Sequence, residues 1–434
     1  MKLRKNICRR CSVALAFAAI LWCSCVASAL TLDECQQLAA GNYPLLKRYD
    51  LIRATTDYTV SNASKGYLPQ ITVGAQATLQ SDVMALPDAM NAMLAASGAE
   101  VKGLKKDQYR VSVDVNQVIY DGGNIKSAKQ VAEAEGEVRS RRNDVEIYAL
   151  RDRVNNLFFG ILITDEQLGL NREMQALLSD NCRKLEAMVA GGVAMQSDAD
   201  AVRAEYLSTV QQYAEIESVR RSYCSMLEIF IGNPIDTALE KPEVDEPLSA
   251  ENNRPELRLF DAHTAQLRAR MGSIDAGVRP RLRLFAQGYY GYPGLNTFED
   301  MMEHRWTLNG IVGVRLSWNI GNFYTRRNDK NRLAVAMNEV DNSRELFLFN
   351  NRLQSAEERS NIDRYRTIMK HDDDIIALRT SVRQSAESKL EHGIIDVNEL
   401  LQEITRENTA KINRSTHEIE LLKSIAELKN TLNR

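Results

Sequence analysis

Trp306-Thr307-Leu308-Asn309-Gly310-Ile311-Val312-Gly313-Val314-Arg315-Leu316-Ser317-Trp318 carries the pattern on which the reading of this chain turns. Leu308, Gly310, Val312, Val314 and Leu316 alternate with Thr307, Asn309, Gly313, Arg315 and Ser317, and only Ile311 breaks the polar row. Successive side chains of a β-strand point to opposite faces, so this period predicts a strand with one apolar and one polar face. Tryptophan stands at both ends. At roughly 3.3 Å per residue the segment runs about 40 Å. A tilt of about 45° leaves roughly 28 Å along the bilayer normal, close to the ~25 Å apolar band between the aromatic girdles of outer-membrane barrels. In a soluble sheet the same alternation would be a buried core face, and alternation alone leaves both readings open.

Three more segments alternate in the same way, predicting strands over 69–80, 108–119 and 280–290 beside the one over 306–319, with loops at 81–107 and 291–305. Phe285 breaks the polar row of the third. The chain also repeats itself. Asn42-Tyr43-Pro44-Leu45 matches Arg254-Pro255-Glu256-Leu257, and Gly66-Tyr67-Leu68-Pro69 matches Gly277-Val278-Arg279-Pro280. Val118 to Asn124 matches Leu316 to Asn322, and Gly192 with Asp198 matches Gly393 with Glu399. A first repeat over 30–230, a proline-rich connector over 231–253 and a second repeat over 254–434 follow, each ordered helix, strand, loop, strand, long helix, turn, helix. Four strands per chain cannot close a spanning barrel, which needs at least ~8, so transmembrane strands imply an oligomer.

No proline occurs in 88–233 or 294–434, and 322–392 lacks glycine as well. As one helix, 322–392 would extend about 106 Å, far beyond an average helix. Leu333, Met337, Val340 and Phe347, then Ile362, Tyr365, Met369 and Ile376, recur in steps of three, four and seven, a narrow seam like that of packed coiled coils, with charges between. Such helices suit the wall of an aqueous lumen better than a solid globule.

Residues 1–29 join a basic start (Lys2, Arg4, Lys5, Arg9, Arg10) to a short apolar core and Ala27-Ser28-Ala29, the three parts of a cleavable secretory signal. No later stretch approaches the ~18 to 20 consecutive apolar residues of a spanning helix. An apolar content of 44% excludes disorder. The formal net charge of -3 becomes about -8 once the leader and its five cations are removed, which gives no electrostatic case for nucleic acid. Cys35, Cys182 and Cys224 remain after the leader, odd in number and far apart, and read as small buried apolar residues.

With these features in place, the chain resembles the TolC-like outer-membrane factor family. The likeness rests on Leu32 through Asn42, on Gly66-Tyr67-Leu68-Pro69 with its repeat, and on Gln117-Val118-Ile119-Tyr120-Asp121-Gly122-Gly123, where the family often has proline at the Val118 position. The resemblance implies a mainly α protein with membrane β: a long antiparallel helical coiled-coil tunnel, plus four strands per protomer in a trimeric twelve-stranded outer-membrane barrel. It implies a homotrimer in outer-membrane lipid with its helical part in the periplasm. It further implies a passive exit duct for efflux or type I secretion, working with a periplasmic adaptor (membrane fusion protein) and an inner-membrane pump of RND or ABC type. A soluble periplasmic coiled-coil scaffold or adaptor is the alternative.

Nothing in the sequence points to an enzyme or to a cofactor. The five histidines lack paired ligand spacing, and no glycine-rich phosphate loop follows a strand. His371-Asp372-Asp373-Asp374 is the one cluster with metal-ligand chemistry, but placed mid-helix its side chains would spread around the axis. The turns at Gly191, Gly192, Gly393 and Ile394 are more informative, because glycine just past a helix is a common left-handed cap. Asp198 and Glu399 then open the next helices, where acids favour the helix dipole. By resemblance these turns dock the adaptor, and Glu399 and Asp198 stand at the periplasmic entrance, where a ring of acids would favour cations. The second family acid falls on Gln402 and the family's locking arginine on Ile395, leaving Asp396 or Glu403 as other latch groups. Trp306, Trp318, Tyr109 and Tyr120 are the expected membrane girdle.

Overall fold

The computed structural model describes residues 29–98, 101–235, 238–244 and 252–433. The leader, Cys25 included, and part of the connector lie outside the described residues. The elements are, in order, α1 (Leu32–Asn42), α2 (Leu46–Ser64), β1 (Gln70–Leu79), α3 (Asp88–Ala96), β2 (Asp107–Tyr120), α4 (Asn124–Tyr148), α5 (Leu150–Ala190) and α6 (Gln196–Ile231). After the connector follow α7 (Pro255–Gly277), β3 (Arg281–Tyr292), α8 (Thr297–Met302), β4 (Thr307–Ser317), α9 (Asn322–Met369), α10 (Asp372–Glu391) and α11 (Val397–Leu432). Among the described residues no helix is long and apolar enough to cross a membrane. The chain divides into two units, one of Met1–Leu46, Val145–Arg254 and Leu348–Arg434, the other of Lys47–Asp144 and Pro255–Phe347.

The second unit holds an antiparallel four-stranded sheet in the order β1-β2-β3-β4. Phe260 of α7 packs on Phe347 of α9 with ring centroids 6.0 Å apart, and ion pairs join the helices as well. Arg326 and Lys330 grip Asp275, Arg344 reaches Asp261 at 2.9 Å, and Arg270 reaches Glu135 at 2.9 Å. Helix α2 buries no residue at all, and Leu51 and Tyr58 on it are exposed.

The first unit is built on apolar packing. Val154, Phe158, Phe159 and Ile161 of α5 pack with Cys35 and Ala39 of α1, Leu227 and Ile231 of α6, and Ile419 and Leu422 of α11. A second cluster joins Leu178 and Leu185 of α5, Ala199 and Val202 of α6, Ala386 of α10, and Val397, Leu400 and Ile404 of α11. Thr31 opens α1 with a capping box, its hydroxyl accepting from the Glu34 amide while the Glu34 carboxylate accepts from the Thr31 amide.

Several expectations need correction. Segment 322–392 is not one helix, since a turn at Lys370–His371 separates α9 from α10. His371-Asp372-Asp373-Asp374 is therefore a helix start, with three acids in the first turn where the helix dipole favours them. Asp372 bonds His417 at 2.8 Å and Asp373 bonds Arg414 at 3.2 Å. Among the described residues no group of potential ligands is placed to hold a metal. Consecutive acids mark a helix start even where neither glycine nor proline breaks the chain. The loops at 81–107 and 291–305 contain the short helices α3 and α8. Trp306 and Trp318 flank β4 rather than belonging to it. Among the described cysteines only Cys35 is fully buried, its thiol pushed up to about 12 by burial, while Cys182 and Cys224 are half-buried.

Candidate functional site

Two arrangements bear on function, one in each unit. The first is the sheet. Its register lines up Ala75, Val111, Tyr290 and Leu308, then Val73, Val113, Gly288 and Gly310, then Ile71, Val115, Ala286 and Val312. These rows form one wholly apolar face. The rows between them are Gln76, Arg110, Gly291 and Thr307, then Gly74, Ser112, Tyr289 and Asn309, then Thr72, Asp114, Gln287 and Ile311. They form the other face, which is polar and bonded across strands, with Arg110 donating to Gln76 at 2.9 Å and Gln287 to Asp114 at 2.5 Å.

The apolar face is bare. Val73 is 70%, Leu308 82% and Val312 74% exposed. A soluble antiparallel sheet covers such a face with a core layer. Among the described residues β1 and β4 each pair on one side only, leaving two open sheet edges.

Aromatic rings gather at both ends. Trp306 stacks on Tyr109 with ring centroids 6.2 Å apart and lies 5.5 Å from Tyr290. Trp318 packs edge-on against Phe323 at 6.3 Å, while its indole N–H donates to the Val278 carbonyl at 2.9 Å. Tyr120 lies at this second end, opposite Leu282. The four candidate girdle residues thus fall into two groups, one at each end of the strands. Tyr290 and Phe323 join them unforeseen, although Tyr290 simply continues the apolar row of Leu284, Ala286 and Gly288.

The second arrangement is a pair of helix hairpins, α5–α6 and α10–α11, whose ends share the cluster around Leu178, Val202 and Leu400. Both turns close alike. The Gly192 amide donates to the Val189 carbonyl at 3.0 Å and the Val193 amide to Met188 at 2.9 Å. The Gly393 amide donates to Leu390 at 2.9 Å and the Ile394 amide to Lys389 at 2.9 Å. Gly192 and Gly393 have φ of 73° and 68°, the left-handed values of this cap. Gly191 keeps right-handed backbone, so the two adjacent glycines are not equivalent.

The acids of the two turns differ in role. The Asp198 carboxylate accepts from the Met195 amide at 3.1 Å, whereas Asp396 accepts from the Glu399 amide at 2.8 Å. Glu399 and Gln402 are exposed, and Ile395 turns into the shared cluster. Glu403 is paired with Arg379 and Arg406. Together Ile395, Glu399, Gln402, Glu403, Lys389 and Arg406 line a groove of about 620 Å³ between α10 and α11. Further along this hairpin, Glu407 is almost fully buried. Burial pushes its carboxyl up, but bonds from Thr380 and Arg383 outweigh that and hold it below the usual range.

No protein-family model matches the sequence, and no curated protein matches it significantly. Solved structures do match. The CmeC outer membrane channel of Campylobacter jejuni shares 14% identity with a TM-score of 0.64, over 92% of this chain and 85% of its own. The outer membrane protein VceC of Vibrio cholerae shares 11% with a TM-score of 0.65, over 92% and 95%. The MtrE outer membrane channel of Neisseria gonorrhoeae, in its open state, shares 14% with a TM-score of 0.62, over 92% and 88%. Over nine-tenths of its length, this chain has the TolC-like fold of outer-membrane channels.

Proposed function

We propose that this chain is one protomer of a homotrimeric outer-membrane channel that serves as the passive exit duct of an efflux or type I secretion system. The observation that carries this reading is the sheet: a bare apolar face bounded by aromatic rings, a polar face behind it, and two open edges. Three copies joined edge to edge give twelve strands, enough to close a spanning barrel. The apolar face then meets lipid, the polar face lines a water-filled passage, and no strand edge remains. The likeness in fold to outer-membrane channels supports the same assembly.

In this reading the helices wall a periplasmic continuation of the passage, and the turns at Gly192 and Gly393 dock a periplasmic adaptor and its inner-membrane pump. The pump supplies the energy. Glu399, with Asp198, Gln402 and Glu403, stands at the periplasmic entrance. A soluble scaffold would leave the apolar face in water, since among the described residues no layer covers it.

Detergent extraction of outer membranes, with electrophoresis before and after heating, tests the proposal. A trimer-sized band that collapses to the monomer on heating is expected. Recovery only in the soluble periplasmic fraction would overturn it.

A further inference from the structure

The polar face of the sheet carries a charge pattern that an exit duct does not itself require. Arg283 on β3 stands directly opposite Arg315 on β4, which places their Cβ atoms ~4.5–5.5 Å apart on one face. Arg281 lies two residues along on the same face, opposite Ser317. Like charges directly opposite each other destabilise a strand pair. Among the described residues the guanidinium groups of Arg283 and Arg315 enter no ion pair or side-chain hydrogen bond, while that of Arg281 donates to Asn124 at 3.4 Å.

Acids near this end are distant or occupied. Asp114 accepts from Ser112 and Gln287 and lies in the row of Gln287, four residues from Arg283. That spacing is about 13 Å along the strand, beyond the ~10 Å screening length of 0.1 M salt. Asp121 accepts from the Gly123 and Ile125 amides at the start of α4, and Asp275 is gripped by Arg326 and Lys330.

Arg315 is also held in place. Its guanidinium lies 4.8 Å from the Phe285 ring centre. Gly313 leaves the room, because a Cβ there would come within 2.9 Å of that ring. The aromatic residue that interrupts the polar row thus supports a cation lying along the face.

We propose that Arg283 and Arg315, with Arg281 beside them, form an anion-binding and anion-selective step on the lumenal face of the barrel, favouring anionic cargo. This rests on the exit-duct reading, in which three copies bring these arginines into a ring. Charged rings set the sign of the ions a pore admits. Guanidinium is suited to bidentate contact with phosphate and carboxylate. Acids at the helix-hairpin turns would favour the opposite sign, so substituting the arginines alone separates the two regions.

The test uses the purified full-length protein in planar bilayers, with pyrophosphate added to one compartment at a time. Concentration-dependent block by pyrophosphate is expected. In Arg283→Gln/Arg315→Gln it should weaken roughly tenfold, as two charge-assisted contacts per protomer are lost. The chloride-to-potassium permeability ratio should fall with it, while the lysine pair R283K/R315K keeps most of the block. Wild-type channels that pyrophosphate does not block, or glutamine channels blocked as before, would overturn the proposal. Should the double variant not assemble, Arg283→Gln alone carries the same test, with a smaller loss expected. A wild-type protein that forms no channels at all would instead count against the exit duct.

Discussion

Glu358 of α9 is 5% exposed, and only one of its carboxylate oxygens has partners. That oxygen accepts from the Thr431 hydroxyl at 2.6 Å and from Gln354 at 3.0 Å. Burial pushes the carboxyl up to about 7, and Glu427 and Asp152 push the same way. The folded state therefore holds a proton that the unfolded chain releases near pH 4.5, so this group's contribution to stability declines as pH rises from about 4.5 to about 7. Glu358→Gln keeps the accepting oxygen and removes the ionisation. It should raise the unfolding temperature at pH 8 and change it little at pH 5, a difference on the order of 2–3 kcal/mol. Thermal unfolding in detergent at the two pH values checks this; an equal shift at both would refute it. Glu407 is as deeply buried but lies against Arg383, which shows that the partner, not burial alone, decides the charge state. None of this was legible in the sequence, where both residues look like ordinary charges on a long helix.

At the scale of elements, the two hairpin turns share a left-handed glycine but split the capping of the following helix. Asp396 caps from the N-cap side, and Asp198 reaches back from the first turn to the Met195 amide. Open space surrounds the missing Cβ at Gly393, so Gly393→Ala should cost only the backbone term of about 1–2 kcal/mol. Asp396→Ala should cost about 1 kcal/mol more. Both changes are local, and limited proteolysis should cut sooner around residues 392–396 while the α5–α6 turn keeps its wild-type rate. Equal cutting at both turns would contradict this independence. The glycines were legible because few other residues tolerate this backbone. The division of capping was not, since an acid three or six residues past a turn reads the same in sequence.

For the whole molecule, the distinction between the two faces of the sheet decides the membrane reading. Val312 lies on the apolar face in the middle of β4, with Asn309 on the polar face of the same strand. A lysine facing lipid near the bilayer midplane costs roughly 2–4 kcal/mol. Val312→Lys should therefore lower the temperature at which the trimer band dissociates, while Thr72→Lys, exposed on the polar face in the row of Asp114 and Gln287, should leave it nearly unchanged. The reverse order would invert the assigned faces. Exposed Leu51 and Tyr58 of α2 and the open strand edges belong to this scale as well, because among the described residues none covers them.

The sequence alone determined the strands, their two faces, the repeat and the left-handed turns, because period-two alternation and glycine are local constraints on the backbone. Only the tertiary structure decided where the long helices break, since Lys370–His371 and Ala149 carry no glycine or proline. Only the sheet register set Arg283 opposite Arg315, and only packing separated a neutralising Glu358 from an ion-paired Glu407. Cross-strand pairing and burial depend on residues far apart in the chain. Periodicity along the sequence does not contain them.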